Sequence, residues 1–183
     1  MSDKTTPVFK ETKLGVLSIQ EIEQIIFDNL ILTQSFIFRN YKELPFDINT
    51  LLLFHERLCG NLFENAGALR KHNVQIWSFE PIGYHEVPIE MKKLNGDLEH
   101  WTQLQRSEID KKRFIAEIMR RILRIHPFFD YNARVTRLFG ELFFLQHTLP
   151  ISTFRGTSRG DFSQAMKKAT FEKDFSLLYT LLE

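Results

Sequence analysis

The chain has 183 residues, enough for one domain with a sizeable core and too few to assume two. Its 24 basic and 23 acidic residues leave a net charge of +1, so bulk electrostatics offer nothing to nucleic acid or an anionic membrane, and neither is expected as a partner. The composition, 43% hydrophobic and 26% charged, is that of an ordinary globular protein, and the single cysteine, Cys59, excludes an internal disulfide.

In chain order, MSDKTTPVFKETK is polar and lacks the apolar core of a signal peptide, so residues 1–17 read as a flexible arm. No run of 18 apolar residues predicts a membrane span. Cytoplasmic residence is therefore expected, with export by a signal-free secretion route left open. Residues 18–183 read as a single domain. Ser18 with Glu21 forms a capping box, and helical periodicity follows to about Arg39. KELPFD breaks that helix, and Asp47 or Asn49 caps the next, LLLFHERLCGNLF, in which Cys59 reads as a buried structural thiol. NAGALRKH is a small-residue corner. Between Asn73 and Val87, VQIWSF alternates, EPIG turns and YHEV follows, which predicts a short β-hairpin or extended flap. Helices are then expected over about 88–105, 108–126, 132–149, 161–169 and 172–182. The fold class is all-α, a helical bundle with one small β-hairpin.

One stretch concentrates polar chemistry: HPFFDYNARVTR, His126 to Arg137. His126 ends the stripe Ile115, Met119, Ile122 on one helix face, and Pro127 stops that helix. A new helix is expected to start near Asn132. Its first N–H groups and positive dipole end attract anions. Arg134 and Arg137, three apart, share a face, and arginine forks match phosphate oxygens. A carboxylate beside them, Asp130, suits Mg²⁺, which usually takes one or two carboxylates plus substrate phosphates. Histidine as base, carboxylate for metal and a phosphate cradle together suit transfer chemistry on a nucleotide. The ordinary alternative is a core histidine, a cap and surface arginines. Spacing alone leaves both readings open. His55, His72, His85, His100 and His147 lack metal-site spacing, and Arg120, Arg121 and Arg124 read as a solvated basic face.

HPFFDYNARVTR also resembles the signature of the Fic/Doc family, H-P-F-x-(D/E)-G-N-G-R-x-x-R, with His, Pro, Phe, Asp, Asn and both Arg in register. LLLFHERLCGNLFENAGALR resembles the family's upstream helix and its W-A-G-x-x-R corner, with Asn65 in place of Trp. Residues 74–87 fall where the family places a flap. The similarity covers about residues 45–182. It implies a protein adenylyltransferase that moves AMP from ATP to a Ser, Thr or Tyr hydroxyl of a target protein. By this resemblance His126 takes the hydroxyl proton, and Asp130 holds Mg²⁺. Asn132 and the backbone around Tyr131 and Ala133 orient the phosphates, and Arg134 and Arg137 carry the outer ones. The flap, with Ile76, Trp77, Ser78, Phe79 and Glu80 as candidates, would hold the target through main-chain bonds. Trp77 and Phe79 equally suit a core.

Two departures stand out. Tyr131 and Ala133 replace the motif glycines, and a tyrosine held left-handed costs roughly 1–2 kcal/mol. Three outcomes stay open: AMP transfer, a Doc-like phosphotransferase toxin, or a degenerate binding module. The family's inhibitory helix, (S/T)-x-x-x-E-(G/N), has no counterpart in either terminus. That leaves a small antitoxin supplying it in trans, an enzyme that needs no brake, or a degraded internal brake.

Overall fold

A computed structural model describes residues 9–76, 80–101, 107–150 and 158–182. Seven helices and one two-stranded antiparallel sheet occur among these residues, so the chain is all-α with one small hairpin. The strands are β1, Phe9–Thr12, and β2, Gly15–Ser18, with Phe9 opposite Ser18. The helices are α1, Ile19–Asn40; α2, Ile48–Cys59; α3, Val87–Trp101; α4, Glu108–Ile125; α5, Asn132–Gln146; α6, Arg159–Phe171; and α7, Ser176–Leu182.

Local chemistry explains most helix starts. Ser18 and Glu21 complete the expected capping box on α1, with the Ser18 N–H donating to the Glu21 carboxylate at 2.8 Å. Asp47, rather than Asn49, caps α2 by accepting from the Thr50 N–H at 2.9 Å. Ser107 and Ser158 do the same for α4 and α6. Pro88 sits in the first turn of α3, where a missing N–H leaves no ladder bond unmade.

Helix α5 is the central element. Val135, Leu138, Phe139, Leu142, Phe143 and Phe144 are all buried, because α1, α2 and α4 pack around it. From Leu138 to Phe144 every residue is buried, so the middle of α5 cannot shift without moving its neighbours. Phe139 stacks on Phe46 at 4.2 Å, and Trp101 stacks on Phe114 at 3.9 Å. Cys59 is buried beneath this packing, and burial pushes its thiol up to about 12.

The sheet lies elsewhere than expected. It falls within residues 9–18, inside the stretch read from the sequence as an arm. Gly15 takes φ +100° at its turn, and the Thr12 hydroxyl donates to the Gly15 carbonyl at 2.7 Å. Lys13 fastens the hairpin to the body: its N–H donates to Leu62 O at 2.9 Å and its ammonium to Gly60 O at 3.1 Å. In the expected flap, the described residues of 73–87 form no strand beyond a single β-bridge at Ile76, and Tyr84–Glu86 turn directly into α3. Trp77, Ser78 and Phe79 lie outside the described residues.

Candidate active site

Helix α4 ends at His126, whose backbone is left-handed at φ 52° and whose N–H closes the last turn on Ile122 O at 2.8 Å. This is a left-handed cap on a residue that is not glycine, and Pro127 bars any continuation of the helix. The loop then returns through Phe128, fully buried, to Tyr131, again left-handed at φ 58°. Asn132 closes it. Its side-chain carbonyl accepts the Phe128 N–H and its amide donates to the Phe128 carbonyl, both at 2.9 Å, with the residue only 2% exposed. Asn132 is thus a clamp within the loop, its side chain engaged by Phe128 and, at 3.5 Å, by the Asp130 carbonyl.

These turns bring His126, Asp130, Tyr131, Asn132, Ala133, Arg134 and Arg137 to one cavity of about 960 Å³, which Ile76 also borders. That is the size of a site for a large cofactor-like ligand. The remaining described flap candidate, Glu80, is exposed and does not line it. Helix α5 opens onto the cavity with Tyr131 as its N-cap residue and no side-chain cap bond, so its first N–H groups are not covered by a capping side chain.

His126 Nδ1 lies 3.4 Å from Leu123 O. A carbonyl only accepts, so this contact places the proton on Nδ1 and the basic lone pair on Nε2. Burial depresses its pKa to about 4, with the Arg70 charge acting the same way and the Leu123 bond and Asp130 opposing. The imidazole is therefore neutral at pH 7. Asp130 is half-exposed. Oδ1 accepts the Tyr131 N–H at 2.7 Å, while Oδ2 faces Lys10 of β1 at 3.8 Å. Arg134 pairs with Glu23 of α1, and its guanidinium stands 5.3 Å from the Tyr131 ring centroid. Arg137 is half-buried over Phe162 at 5.5 Å, and burial lowers its pKa against the pull of Glu141. Gln34 of α1 in turn donates to Glu141 at 2.8 Å.

Four participants carry no signal in the local sequence. Glu23, Gln34 and Glu141 line the cavity because α1 and α5 pack together, and Lys10 arrives through the hairpin. His55 supports the loop from below. It accepts the Gly67 N–H at Nδ1, 2.8 Å, has Cys59 Sγ 3.5 Å from Nε2, and stacks on Phe128 at 3.9 Å. Burial lowers its pKa to about 4. Arg70, the last residue of the corner, is buried and bonds the carbonyls of Ile125 and His126.

A divalent cation fits this donor set only in a limited way. The described residues hold no group of three His, Cys, Asp or Glu side chains able to enclose a metal. Asp130 Oδ2, 3.8 Å from the Lys10 ammonium, is the oxygen that would hold the cation, and Mg²⁺ commonly binds through one carboxylate when a substrate's phosphates supply the rest.

The fold and the cavity define a class of helical domain in which a histidine at one helix end and the start of the next helix border one cavity. The chain belongs to the Fic/DOC family, whose model matches residues 45–144. Comparison with curated proteins returned no match. Solved structures of similar fold include the N-terminal Fic domain of a Bep effector from Bartonella sp. AR 15-3, with TM-score 0.82 and 21% identity, covering 100% of this chain and 88% of that one. BepC from Bartonella tribocorum, with bound AMPPNP, has TM-score 0.73 and 18% identity, covering 100% and 93%. The N-terminal Fic domain of a VirB-translocated Bep effector from Bartonella quintana, with bound ADP, has TM-score 0.76 and 18% identity, covering 98% and 91%. No described helix of this chain is long and apolar enough to cross a membrane.

Proposed function

We propose that the chain transfers AMP from ATP to a hydroxyl side chain of a target protein, with Mg²⁺ bound at Asp130. The observation that carries this reading is that His126, the α5 N-terminus, Arg134 and Arg137 border one cavity. Nucleotides in the similarly folded BepC and Bartonella quintana domains support a nucleotide as the occupant. The target oxygen attacks the α-phosphorus, and its proton passes to His126 Nε2. The bond from the α-phosphorus to the bridging oxygen breaks, and pyrophosphate leaves toward Arg134 and Arg137. A bound Mg²⁺ supplies charge neutralisation on the phosphates. The α4 C-terminus favours the imidazolium formed, because its last carbonyls are partly negative.

A second reading is a weak or inactive binding module. It draws on the state of Arg134, which Glu23 pairs and the Tyr131 ring covers. The test is incubation of purified protein, Mg²⁺ and host lysate with ATP labelled on the α- or the γ-phosphate, beside a His126→Ala control. Labelling of protein from α-label alone, lost in the control, is the expected result. Labelling from γ-label would instead make the chain a phosphotransferase. No His126-dependent label, together with no protection against unfolding by MgATP, would leave the binding module.

A further inference from the structure

Arg70 stands outside the cavity, yet it touches both structures that border it. It is 5% exposed, and its hydrogen-bond partners are carbonyls. Nε donates to His126 O at 2.8 Å, Nη2 to Ile125 O at 3.3 Å and to Ile82 O, and Nη1 to His72 O at 3.0 Å. Its own backbone N–H donates to Pro127 O at 2.8 Å. A buried cation without an opposite charge in contact is costly, and a neutral side chain could fill the same space. What only a guanidinium offers is a planar fork of five donors that reaches carbonyls on two sides at once.

The two sides matter. Ile125 and His126 form the end of α4, where carbonyls lack helix partners. The His126 backbone is thereby held at both ends, by Ile122 through its N–H and by Arg70 through its carbonyl. On the other side, His72 and Ile82 flank Val74, Gln75 and Ile76, which border the same cavity as His126. We infer that Arg70 is a positioning residue that fixes the spacing between the base-bearing turn and the cavity border at Val74–Ile76, where a target segment would lie. The proposal rests on reading His126 as the base.

Positioning predicts more than stability. A displacement of about 1 Å between reacting groups can lower a rate about 100-fold. Arg70→Lys keeps the charge and loses the fork. It is expected to bind MgATP in calorimetry as the native chain does, while AMP transfer falls by about tenfold or more. In amide and imidazole NMR spectra, His126 and Val74–Ile76 should shift together. A native transfer rate in folded Arg70→Lys, or a change at His126 with none at Val74–Ile76, would overturn the proposal. If the native chain itself transfers no label, the base reading fails, and the NMR comparison still decides whether Arg70 couples the two borders. If Arg70→Lys does not fold, the native protein decides through the Arg70 Nε–H. Its exchange with water should be at least about tenfold slower than that of exposed arginines, as a buried hydrogen-bonded donor requires. Its signal should also move when peptide or nucleotide enters the cavity. Fast exchange, or a signal indifferent to ligand, would refute the role.

Discussion

Tyr131 occupies a left-handed position that would suit glycine, and its ring explains how it stays there. It stacks toward Phe63 at 6.3 Å and lies 5.3 Å from the Arg134 guanidinium. These contacts offset a backbone cost of roughly 1–2 kcal/mol. Tyr131→Gly should remove both the strain and the cover over Arg134. MgATP affinity is then expected to rise about threefold, the equivalent of the roughly 0.5–1 kcal/mol of an exposed cation–π contact. Calorimetry checks it, and weaker binding would show that the ring contributes to the nucleotide site. Asn132 gives the opposite case. Asn132→Ala leaves the Phe128 N–H and carbonyl buried without partners, which should cost about 2–4 kcal/mol in a denaturant titration. The sequence marks Asn132 as polar and central, but only the fold reveals that it holds the loop.

At the level of elements, the first caps were legible and the hairpin was not. Ser18 with Glu21, and Asp47, act within three residues, so their chemistry lies in adjacent letters; the Ser107 and Ser158 caps act over the same distance and were not read from the sequence. The hairpin depends on Lys13 meeting Leu62 and Gly60 across the fold, and no local pattern reports such a contact. The alternation in VQIWSF pointed to strands at 74–87, yet its described part carries only the bridge at Ile76. Helix α1 shows a similar division. Its capping box was readable, whereas the meeting of Glu23 with Arg134, 111 positions later, was not. That pair sets a test. On the proposed function, Glu23→Gln removes a carboxylate that pairs Arg134 in the cavity, and MgATP should bind about two- to fivefold more tightly, in line with the roughly 0.5–1 kcal/mol of a partly exposed ion pair. An unchanged dissociation constant in calorimetry would show that Arg134 makes no contact with the nucleotide.

For the molecule as a whole, one buried and one partly buried histidine tie stability to pH. His55 and His126 are both held near 4, against an ordinary 6.5, chiefly by burial. Between those values the unfolded chain binds protons that the native chain does not, so stability rises with pH through this window. It is complete above about 6.5 and is lost as pH falls toward 4. For His55 alone the effect is about 3 kcal/mol. Urea midpoints at pH 7 and pH 4.5 measure it, and equal midpoints would contradict the burial of these rings as neutral species. The signature residues themselves stand close in sequence and so were readable together. The second tier around them, Arg70, His55, Glu23 and Gln34, comes from α1, α2 and the corner, and assembles only when α5 is enclosed.

The signature loop also has a reverse side. Phe129, Asp130 and Tyr131 border a second cavity of about 420 Å³, lined further by Lys10, Glu11, His55, Cys59, Phe63 and Asn65. These three residues are thus a partition one chain thick between two chambers. Whatever fills or empties the rear chamber presses on the front one, and any substitution in the partition is felt in both. Phe63 borders the rear chamber alone. Phe63→Ala therefore tests that pressure: a change in nucleotide affinity there would come through the wall, by way of the Tyr131 ring that packs toward Phe63.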